Sequence, residues 1–287
     1  YLESVSEYEN IVVAGPCWWG TYPCAIFSQL ERRDFKGKKV TVSVENAAET
    51  ILGLTEDTRL VLTGRFKAGD MDEIASALEK LKENYSNNED DSVETPTVNI
   101  FLDMSKTEEL TEIDDYAFEN CTFFKYIELP NSVTRIGDGA FEDCTSLKAI
   151  KIPNAVTEIG SYAFCGCKSL KYIEIPKSVT EIESYSFADC ISLESIVLPN
   201  AVTEIGDYTF RGCKSLKYIE IPKSVTEIGS SIFEDCDNLS SIKISTNTLC
   251  HLEEDGRTVD IFGELPQLSE IQIINWRDKN VQSDSSY

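Results

Sequence analysis

A phenylalanine recurs every 23 residues between positions 118 and 233, and a cysteine follows it three positions later each time. Such a strict period is typical of a solenoid, in which each unit buries its apolar face only against its neighbours. We therefore expect function on a surface that several units share rather than in a single pocket. The recurring pairs are Phe118 and Cys121, Phe141 and Cys144, Phe164 and Cys167, Phe187 and Cys190, Phe210 and Cys213, and Phe233 and Cys236.

Each repeat opens with a segment that predicts a short strand. Residues 170–176 read Leu-x-x-Ile-x-Ile-Pro, which matches the Leu-x-x-Leu-x-Leu template of leucine-rich repeats. Alternation sends Ile173 and Ile175 inward and Tyr172 and Glu174 outward. The proline ends the strand because it has no backbone N–H to donate. One strand per repeat then stacks into a parallel sheet.

The motifs Ala-Phe-x-x-Cys and Ile-x-Ile-Pro, with Val-Thr-Glu-Ile-Gly between them, resemble those of the BspA-like leucine-rich-repeat proteins, and most closely their treponemal branch. The resemblance covers residues of about 97–275. It implies a right-handed solenoid used for protein binding, often in surface or secreted bacterial proteins. We therefore expect an α/β fold, namely a leucine-rich-repeat solenoid with parallel strands on its concave face, preceded by a small α/β N-terminal cap.

A second period of 46 residues lies over the first, since residues 167–182 and 213–228 are identical. It makes the outward strand positions alternate between tyrosines and small residues in one row and between charges in the next. Strands about 4.8 Å apart would space the tyrosines by ~10 Å, a spacing that suits a binding face. The alternative is a solvated face that compensates its own charges. The predicted partner-binding residues are Tyr126, Tyr172, Tyr218, Glu128, Glu174, Glu220, Lys125, Lys171 and Lys217.

Charge limits the class of partner. The formal net charge is −24, so nucleic acid is an unsuitable ligand. A row of glutamates that Arg135 interrupts could attract a cation or a basic partner. The alternative that we favour is a hydrated face relieved by Lys177 and Lys223. The row consists of Glu158, Glu181, Glu204 and Glu227.

The cysteines predict a reduced core rather than a metal site. Six of the 10 occupy the same inward position of the repeat, where free cysteine behaves as a small apolar residue. Cys17 and Cys24 lack the paired spacing of a structural zinc site, and Cys250 with His251 lies in an insertion that favours a surface loop. The single histidine has no nucleophile motif beside it. We therefore expect no metal, no cofactor and no enzyme activity.

The first 40 residues differ in kind. Strands at 10–15 and 38–44 flank a helix at 23–34, and the loop Gly-Pro-Cys-Trp-Trp-Gly at 15–20 resembles that of a flavodoxin-like domain over residues 8–40. In that family the Pro-x-Trp-Trp-Gly loop lies beside the flavin ring. The phosphate-binding loop of the family is absent here, so we expect no bound flavin. Trp18 and Trp19 instead form an apolar patch that would pack on the cap or on a second copy of the chain.

We predict four segments: a flavodoxin-like βαβ remnant at 1–40, an α/β cap with an acidic loop at 41–96, the repeats with a C-terminal cap at 97–275, and a polar tail at 276–287. The cap should contain helices at 47–52 and 70–83 and a strand at 59–63. Neither a secretory signal nor a membrane-spanning segment is visible. Reduced cysteines favour the cytoplasm or periplasm, whereas the resemblance favours the cell surface, so the compartment stays open.

The expected function is protein–protein interaction through the concave sheet, and the resemblance implies adhesion or host contact. Two alternatives belong to other classes. One is the binding of flavin or a small hydrophobic ligand at the loop of Trp18 and Trp19. The other is a self-assembling structural protein, for which a homo-oligomer would be the partner.

Overall fold

The computed structural model describes residues 38–54, 56–67, 69–86, 98–245, 253–254, 257–258 and 265–274. The flavodoxin-like segment up to residue 37, which includes Trp18 and Trp19, lies outside the described residues. Most of the acidic loop, Cys250 with His251, and the polar tail lie outside them as well. The predictions made for them stay predictions.

The chain alternates helices and strands at first and then consists of short strands alone. The strands are β1 (Lys38–Ser43), β2 (Thr58–Arg65), β3 (Ile100–Glu108), β4 (Glu112–Ile113), β5 (Phe124–Glu128), β6 (Arg135–Ile136), β7 (Ala149–Lys151), β8 (Glu158–Ile159), β9 (Tyr172–Glu174), β10 (Glu181–Ile182), β11 (Ser195–Val197), β12 (Glu204–Ile205), β13 (Tyr218–Glu220), β14 (Glu227–Ile228), β15 (Ser241–Ser245), β16 (Glu253–Glu254), β17 (Arg257–Thr258) and β18 (Glu270–Ile274). The helices are α1 (Ala47–Leu52) and α2 (Asp70–Ser86), and a 3-10 turn (Val44–Asn46) precedes α1.

Each 23-residue turn contributes two parallel strands. The first lies beside the equivalent strand of the next turn. β5 pairs with β7, β9 with β11 and β13 with β15, whereas β7 and β9, and β11 and β13, are in contact but belong to separate hydrogen-bonded sheets. The second is a two-residue Glu-Ile strand, and six strands of this row pair in the order β4, β6, β8, β10, β12, β14. After the insertion, β18 pairs with β15, so the first row continues into the last described turn. The predicted α/β solenoid with parallel strands is confirmed.

The N-terminal strands extend the same sheet. β1, β2 and β3 pair in parallel with one another and then with β5 and β7. Because parallel neighbours need a crossover, α1 and α2 connect them, and α2 buries the apolar face of Ile74, Leu78 and Leu81 in the core that continues through the repeats. The predicted helix at 47–52 is confirmed, while the predicted helix at 70–83 and strand at 59–63 are each longer by three residues. β1 runs across residue 40, where we expected the boundary between the flavodoxin-like segment and the α/β cap.

Two ladders of identical side chains, phenylalanine and cysteine, run through the interior of the repeats. The rings of Phe118, Phe141, Phe164, Phe187, Phe210 and Phe233 are fully buried, and successive centroids lie 5.3–6.0 Å apart with the planes nearly parallel. The cysteine that follows each ring is buried as well. The Sγ–H of Cys144 donates to the backbone carbonyl of Phe118 at 3.1 Å, and the next four cysteines repeat this bond at 3.0–3.3 Å. Cysteine therefore both fills the layer and satisfies a buried carbonyl.

The turn between the Glu-Ile strand and the phenylalanine uses left-handed backbone. Tyr116, Tyr162, Tyr185 and Tyr208 have φ between 55° and 58°, a conformation that is unusual for a bulky residue. Alternate N–H groups of this segment then reach the next turn, as Phe118 N–H does to Ala140 O at 2.9 Å. The tyrosine rings stack on one another, with centroids 4.7 Å apart for Tyr162 and Tyr185 and 4.8 Å for Tyr185 and Tyr208. The repeat thus offsets an unfavourable local conformation with contacts between turns.

We expect the six ladder thiols to resist a thiol reagent at about pH 8 until denaturant is added. Burial raises the pKa of Cys121 and Cys236 to about 12 and holds the pKa of Cys144, Cys167 and Cys213 well above its usual value, so the reactive thiolate is scarce. Peptide mass spectrometry of alkylated native and denatured protein measures which cysteines react.

Cys165 provides the control, because it lies on the surface side of the ladder and is only half-buried. Burial, followed by the charges of Glu142 and Asp189, raises its pKa to about 12, so it should react slowly but before the ladder. Its signal should vanish in Cys165→Ser. Alkylation of ladder cysteines in the native protein, or a disulfide between them, would contradict the reduced core.

Candidate functional site

The outward residues of the first strands form two aligned rows. In one, Tyr126 lies beside Ala149, Tyr172 beside Ser195 and Tyr218 beside Ser241. In the other, the neighbours are Glu128 with Lys151, Glu174 with Val197, and Glu220 with Lys243. We call the two rows together the tyrosine-strand face. The predicted tyrosines and glutamates do share this face, but its three parts differ in accessibility and pairing.

At the N-terminal end, the expected anchor Tyr126 is not accessible. Only 3% of it is exposed, because β3 places Phe101 next to it and the two rings stack with centroids 4.4 Å apart. The guanidinium of Arg59 lies over the ring of Phe101, 4.7 Å from its centroid. Glu128 is buried too, and its carboxylate accepts a hydrogen bond from Lys151 Nζ at 2.8 Å. The expectation that Tyr126 and Glu128 form an exposed binding surface is therefore wrong.

An ion pair between Arg59 and Asp103 lies at this N-terminal end of the tyrosine-strand face. Asp103 is buried and accepts hydrogen bonds from Arg59 Nη2 at 2.7 Å and from the Ser105 hydroxyl at 2.6 Å. Burial acts to raise the pKa of Asp103, but the hydrogen bonds from Ser105 and Arg59 outweigh it and hold the pKa below its usual value. Lys125, another predicted site residue, lies half-buried at this end, where burial and the neighbouring Lys148 lower its pKa.

The central part, on β9 and β11, is open. Tyr172 is half-buried, and its hydroxyl donates to Glu194 Oε2 at 2.8 Å. Lys171 Nζ lies 3.7 Å from the other oxygen of Glu194. On β11 the small Ser195 leaves space beside the Tyr172 ring, and Val197 is 56% exposed. An apolar side chain thus lies uncovered in the middle of a charged row.

In the C-terminal part, β13 has the same sequence as β9 of the central part, but Tyr218 has other partners than Tyr172. The hydroxyl of Tyr218 donates to Glu220 Oε2 at 3.2 Å, and Lys243 Nζ lies 2.8 Å from Glu220 Oε1. The difference arises because Ser240 stands where the earlier turn has Glu194. Burial, then the charge of Glu220 and its hydrogen bond, raise the pKa of Tyr218 to about 12. Lys217 is exposed at the edge of this turn.

The comparison with known families identifies the repeats. Residues 180–255 match the model of the family described as "BspA type Leucine rich repeat region (6 copies)". The repeats within residues 180–255 are therefore similar to BspA-type leucine-rich repeats. The resemblance of the repeat region to that family is thereby confirmed, whereas the flavodoxin-like resemblance falls on residues that the structure does not describe.

Several solved structures are similar to the chain. A leucine-rich repeat protein from Bacteroides ovatus is 27% identical, with 62% of this chain and 55% of that chain covered and a TM-score of 0.46. The T. pallidum leucine-rich repeat protein is 28% identical over 61% and 69% of the two chains, with a TM-score of 0.39. A leucine-rich cell surface protein from Faecalibacterium prausnitzii is 18% identical over 84% and 80%, with a TM-score of 0.32.

The chain spans just over half the length of the Bacteroides ovatus protein. No curated protein is significantly similar to the chain. Within the described residues, no helix is both long enough and apolar enough to cross a membrane.

The second sheet of the solenoid, which runs from β4 to β14, carries the predicted row of glutamates. Arg135 donates to Glu112 and, at 3.0 Å, to Glu158, and so neutralises the start of the row. Neither Lys177 nor Lys223 forms an ion pair with the row in the described part of the chain, and the predicted relief of the row by these lysines stays a prediction. Burial, then the charges of Glu227 and Glu181, raise the pKa of Glu204.

A shallow acidic groove of about 260 Å³ lies between β12 and β14. It is lined by Ser184, Glu204, Asp207 and Glu227 together with the intervening backbone. No group of three or more metal-binding side chains is assembled among the described residues. The row therefore attracts cations only diffusely.

The stacked tyrosines of the left-handed turn are surface residues that we did not predict. Tyr116 and Tyr162 are exposed, and the ring of Tyr116 lies over Gly139 of the next turn. The signal in the sequence is a tyrosine two positions before the phenylalanine in four of the six repeats. Their ring faces are largely occupied by one another, so they offer a partner mainly ring edges and hydroxyls.

We expect Glu220→Gln to lower the pKa of Tyr218 toward the ordinary tyrosine value of about 10, because it removes the charge that opposes ionisation. In the folded wild type the raised pKa contributes stability below about pH 10 that is lost as the pH rises through about 12. A titration of tyrosinate absorbance, with Tyr218→Phe to assign the phenol, measures the shift. Glu174→Gln, the same change on β9, should leave the titration of Tyr218 unaltered; an equal shift in both variants would contradict the assignment.

Proposed function

We propose that the chain binds another protein through the central and C-terminal parts of the tyrosine-strand face. The observation that carries the proposal is the open surface around Tyr172, Ser195, Val197 and Tyr218. The two tyrosines flank the small Ser195, and the exposed Val197 lies two residues further along the same strand, in the charged row beside Glu174. Glu174, Glu220, Lys171 and Lys217 surround it as a charged rim. Tyr126, Glu128 and Lys125 no longer belong to the proposed site because they are covered or half-buried.

The geometry suits an interface anchor. Tyrosine presents a large ring with only two side-chain torsions to immobilise, and it is enriched among residues that dominate binding energies. Both hydroxyls already donate to carboxylates, Tyr172 to Glu194 and Tyr218 to Glu220. Rings held in this way lose less freedom when a partner binds. The two anchors lie two strands apart, about 10 Å, with Ser195 leaving room between them.

The rigidity of the support adds to the argument. Ile173, Ile196 and Ile219 lie under the face and are buried, and the phenylalanine and cysteine ladders fill the layer beneath them. A row of strands backed by a continuous core changes shape little on binding. We propose adhesion or host contact as the biological setting, on the strength of the BspA-type resemblance. We also propose that the role is not enzymatic.

We expect the double variant Tyr172→Ala, Tyr218→Ala to weaken binding at least ~10-fold while leaving the melting temperature nearly unchanged, since both side chains lie outside the core. The probe is a set of linear peptides selected from a displayed library on the immobilised wild-type chain. Affinity for each variant is measured by biolayer interferometry and stability by thermal unfolding.

Two controls separate binding from folding. Tyr162→Ala with Tyr185→Ala removes the same number of rings from the other surface and should leave peptide affinity unchanged. Phe187→Ala removes a buried ring and should cost about 3–5 kcal/mol of unfolding free energy. Selected peptides that bind the Tyr172, Tyr218 variant as tightly as wild type, or a library that yields no binder, would contradict the proposed function.

A further inference from the structure

The charged row of the tyrosine-strand face has one gap in its pattern. Glu128 pairs with Lys151 and Glu220 pairs with Lys243, each at 2.8 Å from Nζ to the carboxylate. These two pairs lie 92 residues apart, twice the 46-residue period, so a third pair is expected midway. There Glu174 occupies the acidic position, but Val197 stands where the lysine should be.

Because Val197 stands in place of a lysine, the carboxylate of Glu174 lacks the ion pair that Glu128 and Glu220 form. Glu174 is exposed, and within the described residues no ion pair involves it. Losing an exposed ion pair costs the fold little, so the solenoid tolerates the valine at this position. The chain carries a formal charge of −24, which strengthens the negative potential around an uncompensated carboxylate.

The residue that fills the gap is apolar and accessible. Val197 is 56% exposed and lies directly beside Glu174 on the neighbouring strand, about 4.8 Å away. One exposed valine alone would be unremarkable on any protein surface. Here it lies between the strands that carry Tyr172 and Tyr218, inside the surface already argued to bind. The carboxylate of Glu174 and the exposed apolar side chain of Val197 are therefore neighbours on this face.

We propose that this position recognises a basic side chain next to an apolar one in a polypeptide partner. The lysine or arginine of the partner takes the place of the missing lysine and pairs with Glu174. The neighbouring apolar side chain covers Val197, which lies on the strand between those of Tyr172 and Tyr218, and an arginine gains further from stacking on tyrosine. The inference rests on the proposed function and specifies the partner that it selects.

Val197→Lys tests the proposal by completing the pattern of the row. The new lysine would pair with Glu174, as Lys151 and Lys243 do with their glutamates, and would repel a basic partner. Peptides selected from the displayed linear library on the wild-type chain should carry arginine or lysine next to an apolar residue. Their affinity should fall at least ~10-fold for Val197→Lys and for Glu174→Gln, and it should weaken as salt concentration rises.

The matched control is Glu181→Gln, which removes the same charge from the other sheet and should leave affinity unchanged. Selected peptides without a basic residue, or equal affinity for wild type and Val197→Lys, would overturn the inference. If those peptides still depend on Tyr172 and Tyr218, the proposed function survives that result. Peptides insensitive to all of these changes would overturn both.

Discussion

The structure depends on the register that places the same residue of each 23-residue repeat on top of its equivalent in the next. Strand pairing joins Glu181 to Glu204 and Ile182 to Ile205, both 23 residues apart, and the stacked phenylalanine rings follow the same interval. Each turn buries its inward side chains only against its neighbours, so no single repeat has a core of its own. The ladder of S–H bonds from cysteine to the preceding turns depends on the same stacking.

Because of this register, we expect a binding site where the outward-facing residues depart from the repeat. A perfectly periodic surface offers a partner many equivalent positions, whereas a change in one repeat marks a single position. Val197 replaces a lysine and Ser240 replaces a glutamate relative to turns 46 residues away. These changes cost the solenoid little because they face outward, so the outer face can vary while the inward residues stay constant.

Much of the fold followed from the period, because a 23-residue repeat with an alternating strand fixes which side chains point inward. Ile173, Ile175, Phe187 and Cys190 are buried as expected. The burial of Tyr126 could not be foreseen, since it depends on the register of β3, which lies before the first regular repeat and contains an irregularity in its pairing with β5. The left-handed tyrosines were missed because a bulky residue with positive φ is disfavoured locally and is stabilised only by neighbouring turns.

Deletion of one complete repeat tests the central role of the register most directly. Removing residues 168–190 takes out 23 residues and joins Cys167 to Ile191, so every later residue keeps its place in the stack. Removing only residues 168–179 takes out 12 residues and leaves a turn too short to close. Urea unfolding followed by circular dichroism should show a cooperative transition for the 23-residue deletion and its loss, or a large fall in the midpoint, for the shorter one. Equal stability of the two deletions, or greater stability of the 12-residue deletion, would contradict the account.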